Sequence, residues 1–377
     1  MIGDGGFKRE DGGISLSIRV LHALHMDPML LFGILLLTAT GLGVLYSAGG
    51  QSLELINRQT TRLFLAFLVM LILAHVSSDG IKFWSPWIYS IGIILLILVL
   101  AVGDVGKGAQ RWLDLGFVRF QPSEMMKMAT PMMVAWYLSE RALPPTFKTL
   151  MVAVVLILLP TLLIAKQPDL GTALLIFAAG FFVVFLAGMS WKFIFAMVIG
   201  GAALLPVVWH YMHSYQRDRV LTFLDPERDR LGAGYHIIQS KIAIGSGGAY
   251  GRGWLNGSQS HLDFLPEQST DFIFAVFAEE FGLMGGILLL SLYGFIILRG
   301  LMIAAEAQDS YGRLLGGSLS LTFFVYLFVN VGMVSGLLPV VGVPLPLISY
   351  GGTSMVTLMA GFGILMSINS HRRLWSK

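Results

Sequence analysis

Positions 28–53, 83–103, 170–191, 193–216 and 281–298 carry no Lys, Arg, Asp or Glu. Each run is near the roughly 20 apolar residues that a helix needs to cross a bilayer. From 314 to 371 a further 58 residues pass without a charge, interrupted by Pro339, Pro344 and Pro346. That stretch is too long for one span and predicts two, joined by an apolar hairpin. Weaker apolar stretches at 61–78, 123–139 and 148–165 complete a set of ten. The predicted spans are 28–48, 61–78, 83–103, 123–139, 148–165, 170–188, 191–210, 272–299, 314–334 and 350–370. The span at 123–139 is the weakest, because Glu124 and Lys127 lie in it and leave only 128–139 free of charge. The pattern describes an all-α polytopic membrane protein with about ten transmembrane helices and one long extracytoplasmic loop, 211–270.

An even number of spans puts both termini on one side. Orientation follows from Lys and Arg in short loops, since long loops cross largely regardless of charge. With the N-terminus inside, the two faces carry twelve basic residues each, but six of the outer twelve sit in the 211–270 loop. Discounting that loop leaves twelve against six and makes both termini cytoplasmic. The expected organisation is a cytoplasmic segment 1–27, a ten-helix membrane domain 28–370 and a cytoplasmic tail 371–377.

Composition narrows the class. The chain is 55% hydrophobic and 12% charged with a mean hydropathy of +0.75, against about 25% charged for soluble domains, which excludes an ordinary soluble enzyme. A net charge of +3, from 25 basic and 22 acidic residues spread along the chain, implies no nucleic-acid stripe. Cysteine is absent, so disulfides, thiolate nucleophiles and iron–sulfur chemistry are excluded. The charged first 27 residues lack the apolar core of a cleavable signal. In the long loop, Tyr250 stands where a dinucleotide fingerprint beginning at Gly245 and Gly247 needs its third glycine, no strand precedes it, and no phosphate-binding loop occurs elsewhere. A nucleotide is therefore not expected as cofactor.

The unusual polar residues collect in odd-numbered loops, on the predicted outer face. Glu124 and Lys127 are three apart and neighbours on one helical face: either a self-satisfied pair, or a lysine pointing into the bundle toward a second carboxylate or an anionic ligand. Asp271 is the best second carboxylate, because it opens the apolar helix that follows, where a carboxylate is favoured; simple capping is the alternative. Glu279 and Glu280 diverge by about 100° on that helix, and a structural pair inside the bundle is the expected role. Asp263 and Glu267 flank Pro266 and could form an acid and base set or hold a divalent cation.

Several ordered blocks carry a resemblance. They are Gln110, Arg111 and Trp112 with Gln121, Pro122, Ser123, Glu124 and Lys127; Lys166, Gln167, Pro168, Asp169, Gly171 and Thr172; Leu265, Pro266, Glu267, Thr270, Asp271 and Phe272; and Asn330 through Val341, Gly342, Pro344, Pro346, Ser349, Tyr350, Gly351, Gly352, Thr353 and Ser354. Together they resemble the SEDS family (shape, elongation, division and sporulation proteins). The stretch from Arg219 to Pro226, with Gly232, Gly234, Tyr235 and His236, looks like the elongation branch rather than the division branch.

The resemblance implies a peptidoglycan glycosyltransferase of the bacterial inner membrane that polymerises lipid II and releases undecaprenyl pyrophosphate. It also implies a class B penicillin-binding protein, the transpeptidase, as partner. Asp271 matches the family's proposed catalytic aspartate, Glu124 and Lys127 its functionally important charged positions, and Asp263 a position linked to activation. On this reading Asp271 is the base for the acceptor hydroxyl. Arg111, Arg217 and Arg219 are candidates to grip phosphate, with Glu267 and Ser349 as further support. A divalent cation, Mg or Mn, could share that task at Asp271. The competing class is a lipid II flippase, and a scaffold for wall synthesis is a third.

Overall fold

The computed structural model describes residues 26–106, 109–114, 119–212, 214–229, 233–257 and 267–370. Helices occupy the places of all ten expected spans: α1 (Pro28–Ala48), α2 (Leu53–His75), α3 (Ser78–Val102), α4 (Pro122–Ser139), α5 (Phe147–Lys166), α6 (Leu170–Leu186) and α7 (Trp191–Tyr211), then α10 (Ile273–Ala305), α11 (Ser310–Val334) and α12 (Thr353–Ser370). Seven of them, α1, α2, α3, α5, α10, α11 and α12, are long and apolar enough to cross a membrane; α6 and the apolar part of α7 are shorter. Their starts follow from local chemistry. Asp27, Ser52, Ser77, Thr146, Asp169 and Asp309 each accept a bond from an amide of the first turn, and Pro28 and Pro122 stand where no amide is needed.

The structure adds detail at three places. The second span begins at Leu53 rather than 61, because Ser52 caps a polar first part that hydropathy ignores, and it ends at His75. The fold is mostly helical, as expected, and adds one small antiparallel sheet between α3 and α4, made of β1 (Asp104–Gly106), β2 (Ala109–Asp114) and β3 (Arg119–Phe120). The segment 211–270 is not a plain loop, since α8 (Ser214–Leu224), a 3-10 turn at Pro226–Asp229 and α9 (Ala233–Gly247) lie in it.

Two irregular features shape the core. The 33 residues of α10 are broken at Gly282, whose φ of 64° and ψ of −164° suit only glycine. The carbonyls and amides freed there meet a neighbouring loop: Arg252 and Gly253 amides donate to the Glu279 and Glu280 carbonyls at 3.0 and 2.9 Å, while Leu283 and Met284 amides donate to Gly248 and Ala249 at 3.0 Å. Such pairing is what non-helical backbone at membrane depth requires.

The proline-bearing segment 335–352 is the second. It folds back into the bundle and buries Val343, Leu345, Leu347 and Ile348. Tyr293 holds it from α10, its hydroxyl donating to the Pro346 carbonyl at 2.6 Å, and the Tyr350 amide donates to Ser269 at 2.8 Å.

Candidate active site and its apolar flank

A polar cavity of about 470 Å³ opens where β2, α4, α6, α8, α11 and the segment 335–352 meet. Its wall includes Arg111, Gln121, Glu124, Lys127, Asp169, Arg219, Asp271 and Tyr326. Residues drawn from six separate parts of the chain thus face one space.

Glu124 and Lys127 are both buried near the start of α4, and Lys127 Nζ donates to Glu124 Oε1 at 2.6 Å. Their one-turn spacing makes that contact local. The rest is tertiary: the Tyr326 ring of α11 lies 5.4 Å from the ammonium, and the Thr357 hydroxyl of α12 donates to Glu124 Oε2 at 3.3 Å. The pair is self-satisfied and also in the wall of the cavity that holds Asp271, so the two readings drawn from sequence are compatible.

Asp271 is not the N-cap residue of α10, the alternative weighed for it from sequence. It precedes the capping position, which Phe272 occupies without a side-chain bond. The Asp271 carbonyl is fastened by Asn330 Nδ2 at 2.9 Å, and its carboxylate turns toward the segment 335–352. At Gly342, whose φ is 75°, an added Cβ would stand 3.4 Å from Asp271 Oδ2. A side chain there would be strained and would crowd the carboxylate.

Arg111 is held by α6 and the turn before it: Nη2 donates to the Pro168 carbonyl at 2.7 Å, and Nε lies 3.7 Å from Asp169 Oδ2. Asp169 also accepts from Gln121 Nε2 at 3.3 Å and from the Thr172 amide that it caps at 3.3 Å. It therefore docks the small sheet onto two helices, a role the sequence motif alone does not reveal.

The remaining candidates sit differently. Arg219 is in the cavity wall, whereas Arg217 turns back onto α7, donating to the Trp209 and His210 carbonyls at 2.9 and 2.6 Å. Glu267 is exposed and accepts the Thr270 hydroxyl at 2.9 Å. Ser349 is buried; its hydroxyl donates to the Thr270 carbonyl at 2.6 Å and accepts from the Leu345 amide at 2.8 Å, so it positions the backbone before Asp271. Asp263 lies outside the described residues. Glu279 and Glu280 are fully buried near the kink of α10, with Ser246 and Arg252 on Glu279 and Ser47 and the Leu255 amide on Glu280. Among the described residues no three His, Asp or Glu side chains gather as they would around a metal ion.

Beside the polar cavity runs an apolar groove of about 840 Å³ between α2, α3, α4 and α12. Leu65, Leu73, Trp84, Met128 and Ile364 line it, and it shares Gln121, Glu124 and Thr353 with the polar cavity. Neither the groove nor Arg62 in its wall was singled out from sequence. The available signal was an arginine inside a predicted span.

Comparison with known proteins gives the same picture over nearly the whole chain. Peptidoglycan glycosyltransferase MrdB of Escherichia coli K12 is 54% identical over 355 residues, covering 94% of this chain and 96% of that protein. Peptidoglycan glycosyltransferase RodA of Treponema pallidum is 33% identical, covering 94% and 100%. A chain solved in a study of how a peptidoglycan synthase complex coordinates polymerization and crosslinking superimposes with a TM-score of 0.80 at 33% identity, covering 92% and 99%. The rod shape determining protein RodA of Thermus thermophilus gives 0.69 at 28%, covering 91% and 96%. The family model for cell cycle proteins FtsW, RodA and SpoVE matches residues 20–374. The resemblance read from the motifs therefore holds, and the chain belongs to the FtsW, RodA and SpoVE family of cell cycle proteins.

Proposed function

We propose that the chain is a peptidoglycan glycosyltransferase that polymerises lipid II at the outer face of the bacterial inner membrane during cell elongation and rod-shape maintenance, releasing undecaprenyl pyrophosphate. One observation carries this reading: a cavity walled by three carboxylates, Glu124, Asp169 and Asp271, and three cations, Arg111, Lys127 and Arg219, adjoins an apolar groove, as suits a substrate with a sugar pyrophosphate head and a long lipid tail.

Glycosyl transfer needs a base for the acceptor hydroxyl and neutralisation of the departing pyrophosphate. Asp271 takes the proton from the acceptor hydroxyl as its oxygen attacks the donor's anomeric carbon, and the bond to pyrophosphate breaks. Arg111 and Arg219 take the phosphates through charge-assisted bonds. Lys127 adds positive field while Glu124 tempers it. Asp271 would also be the residue to hold a magnesium or manganese ion, which would neutralise phosphate charge; with no acidic cluster around it among the described residues, the remaining ligands would come from phosphates and water.

The ten helices read as ten spans with both termini cytoplasmic, and a single-span class B penicillin-binding protein supplies the transpeptidase. The flippase reading needs a polar path through the bundle. Below Lys127 the buried polar side chains of α11 spend their hydrogens on backbone carbonyls instead, Ser318 on Ala179 at 2.6 Å, Ser320 on Gly316 at 2.9 Å and Thr322 on Ser318 at 2.7 Å.

The test is polymerisation of labelled lipid II in detergent by the purified chain with its partner. Asp271→Asn keeps the size of the side chain but cannot take a proton, and should insert and bind its partner while making no polymer. Substantial polymer from this variant would sink the assignment.

A further inference from the structure

The groove is apolar almost throughout, yet Arg62 stands in its wall. It is half-buried and its guanidinium carbon lies 4.5 Å from the centroid of the Tyr350 ring. With nine residues of α2 before it, Arg62 sits roughly 14 Å along the helix from its start. Among the described residues no carboxylate comes within 4.0 Å of its nitrogens, whereas Arg58, one turn earlier, pairs with Glu54 at 2.5 Å, and Arg299 pairs with Asp27 at 2.6 Å. An arginine inside a span is costly and marks a ligand path or a partner.

The charges around the groove point to the ligand. Glu124 is also in its wall but already holds Lys127, so that pair is neutral and Arg62 leaves the groove with net positive charge. The other lining residues suit an alkyl chain. We propose that Arg62 holds the phosphate end of the prenyl-linked molecule whose chain lies in this groove, as an anion subsite separate from Arg111, Arg219 and Lys127 in the polar cavity. The proposal rests on the reading of the groove as a lipid-chain site. Arg62 is absent from the wall of the polar cavity, and the two spaces meet at Gln121, Glu124 and Thr353. Polymerisation brings together two lipid-linked molecules, and two separate sets of cations let each phosphate group be held without sharing. The competing role is purely structural: Arg62 stacks on Tyr350 and fastens the segment 335–352.

Binding of undecaprenyl pyrophosphate and of undecaprenol to the full chain in detergent micelles, followed by native mass spectrometry, separates these roles. The native chain should prefer the pyrophosphate by about tenfold or more. Arg62→Gln should cut that ratio to about threefold or less with undecaprenol affinity retained. Arg62→Lys keeps the charge but loses the planar fork, so it should lower the ratio by about threefold; it decides the matter if Arg62→Gln fails to fold. An unchanged ratio in the folded variants overturns the phosphate subsite and leaves the groove reading standing. Failure of undecaprenol to bind the native chain overturns the groove reading and this proposal together. Inorganic pyrophosphate, lacking a chain, should displace neither lipid; displacement at micromolar levels would assign Arg62 to a free anion and overturn the proposal.

Discussion

Asn330 ties together the two backbone segments that flank the Asp271 carboxylate: its side-chain amide donates to the Asp271 carbonyl at 2.9 Å and to the Val343 carbonyl at 2.8 Å. Fully buried on α11, it sets how far the carboxylate stands from the segment carrying Gly342. Asn330→Ala should therefore lower kcat for polymerisation by about a hundredfold, the cost of a small misplacement at the reacting centre, while KM changes little. Initial rates across a lipid II series would show this, and an equal change in KM and kcat with the same protein yield would argue against a positioning role.

Lys127 and Glu124 invite a double-mutant test. Lys127→Met leaves a buried carboxylate unpaired and should destabilise the protein by about 3–5 kcal/mol. Adding Glu124→Gln should restore the thermal midpoint measured in detergent. Polymerisation should stay low in the double variant, because the cavity that holds Asp271 still lacks its buried cation. Full recovery of activity would reduce Lys127 to a partner of Glu124.

The two neighbouring arginines of α8 should behave differently. Arg219 is in the cavity wall, so Arg219→Ala is expected to raise KM for lipid II by about tenfold. Arg217 is occupied by carbonyls at the end of α7, and Arg217→Ala should leave KM within about twofold while costing about 1 kcal/mol of stability. Reversed effects in steady-state kinetics would reassign the phosphate contact.

Asp169 docks Arg111 and Gln121, so Asp169→Ala should free the small sheet from α6. The expected outcome is a rise in KM together with increased proteolysis between 104 and 120. Asp169→Asn, which can still accept the Thr172 amide, should keep the helix cap and lose mainly the attraction to Arg111.

Topology can be read directly. Reporters fused after Arg373 or inserted between 140 and 146 should lie inside, and one inserted at Tyr250 should lie outside. Opposite labelling of the C-terminus and the 140–146 site would remove the ten-span arrangement.

Sequence by itself determined where the long helices lie, because the free energy of burying a segment in lipid is set by the residues of that segment. The pairing of Glu124 with Lys127 was equally legible, since the two lie three positions apart, whereas caps such as Ser52 were recognised only once the helix starts were in place. The sequence motifs also marked Arg111, Asp169, Asp271 and Asn330 without saying what each does. Only the tertiary structure decided that Asp169 serves Arg111, that Asn330 holds the Asp271 carbonyl, that Ser349 supports backbone, and that Arg217 and Arg219 part ways. It alone showed the break of α10 at Gly282 and the groove containing Arg62. These relations depend on which distant segments pack together, and hydropathy, which sums each segment separately, carries no information about the partners a side chain meets once the bundle closes.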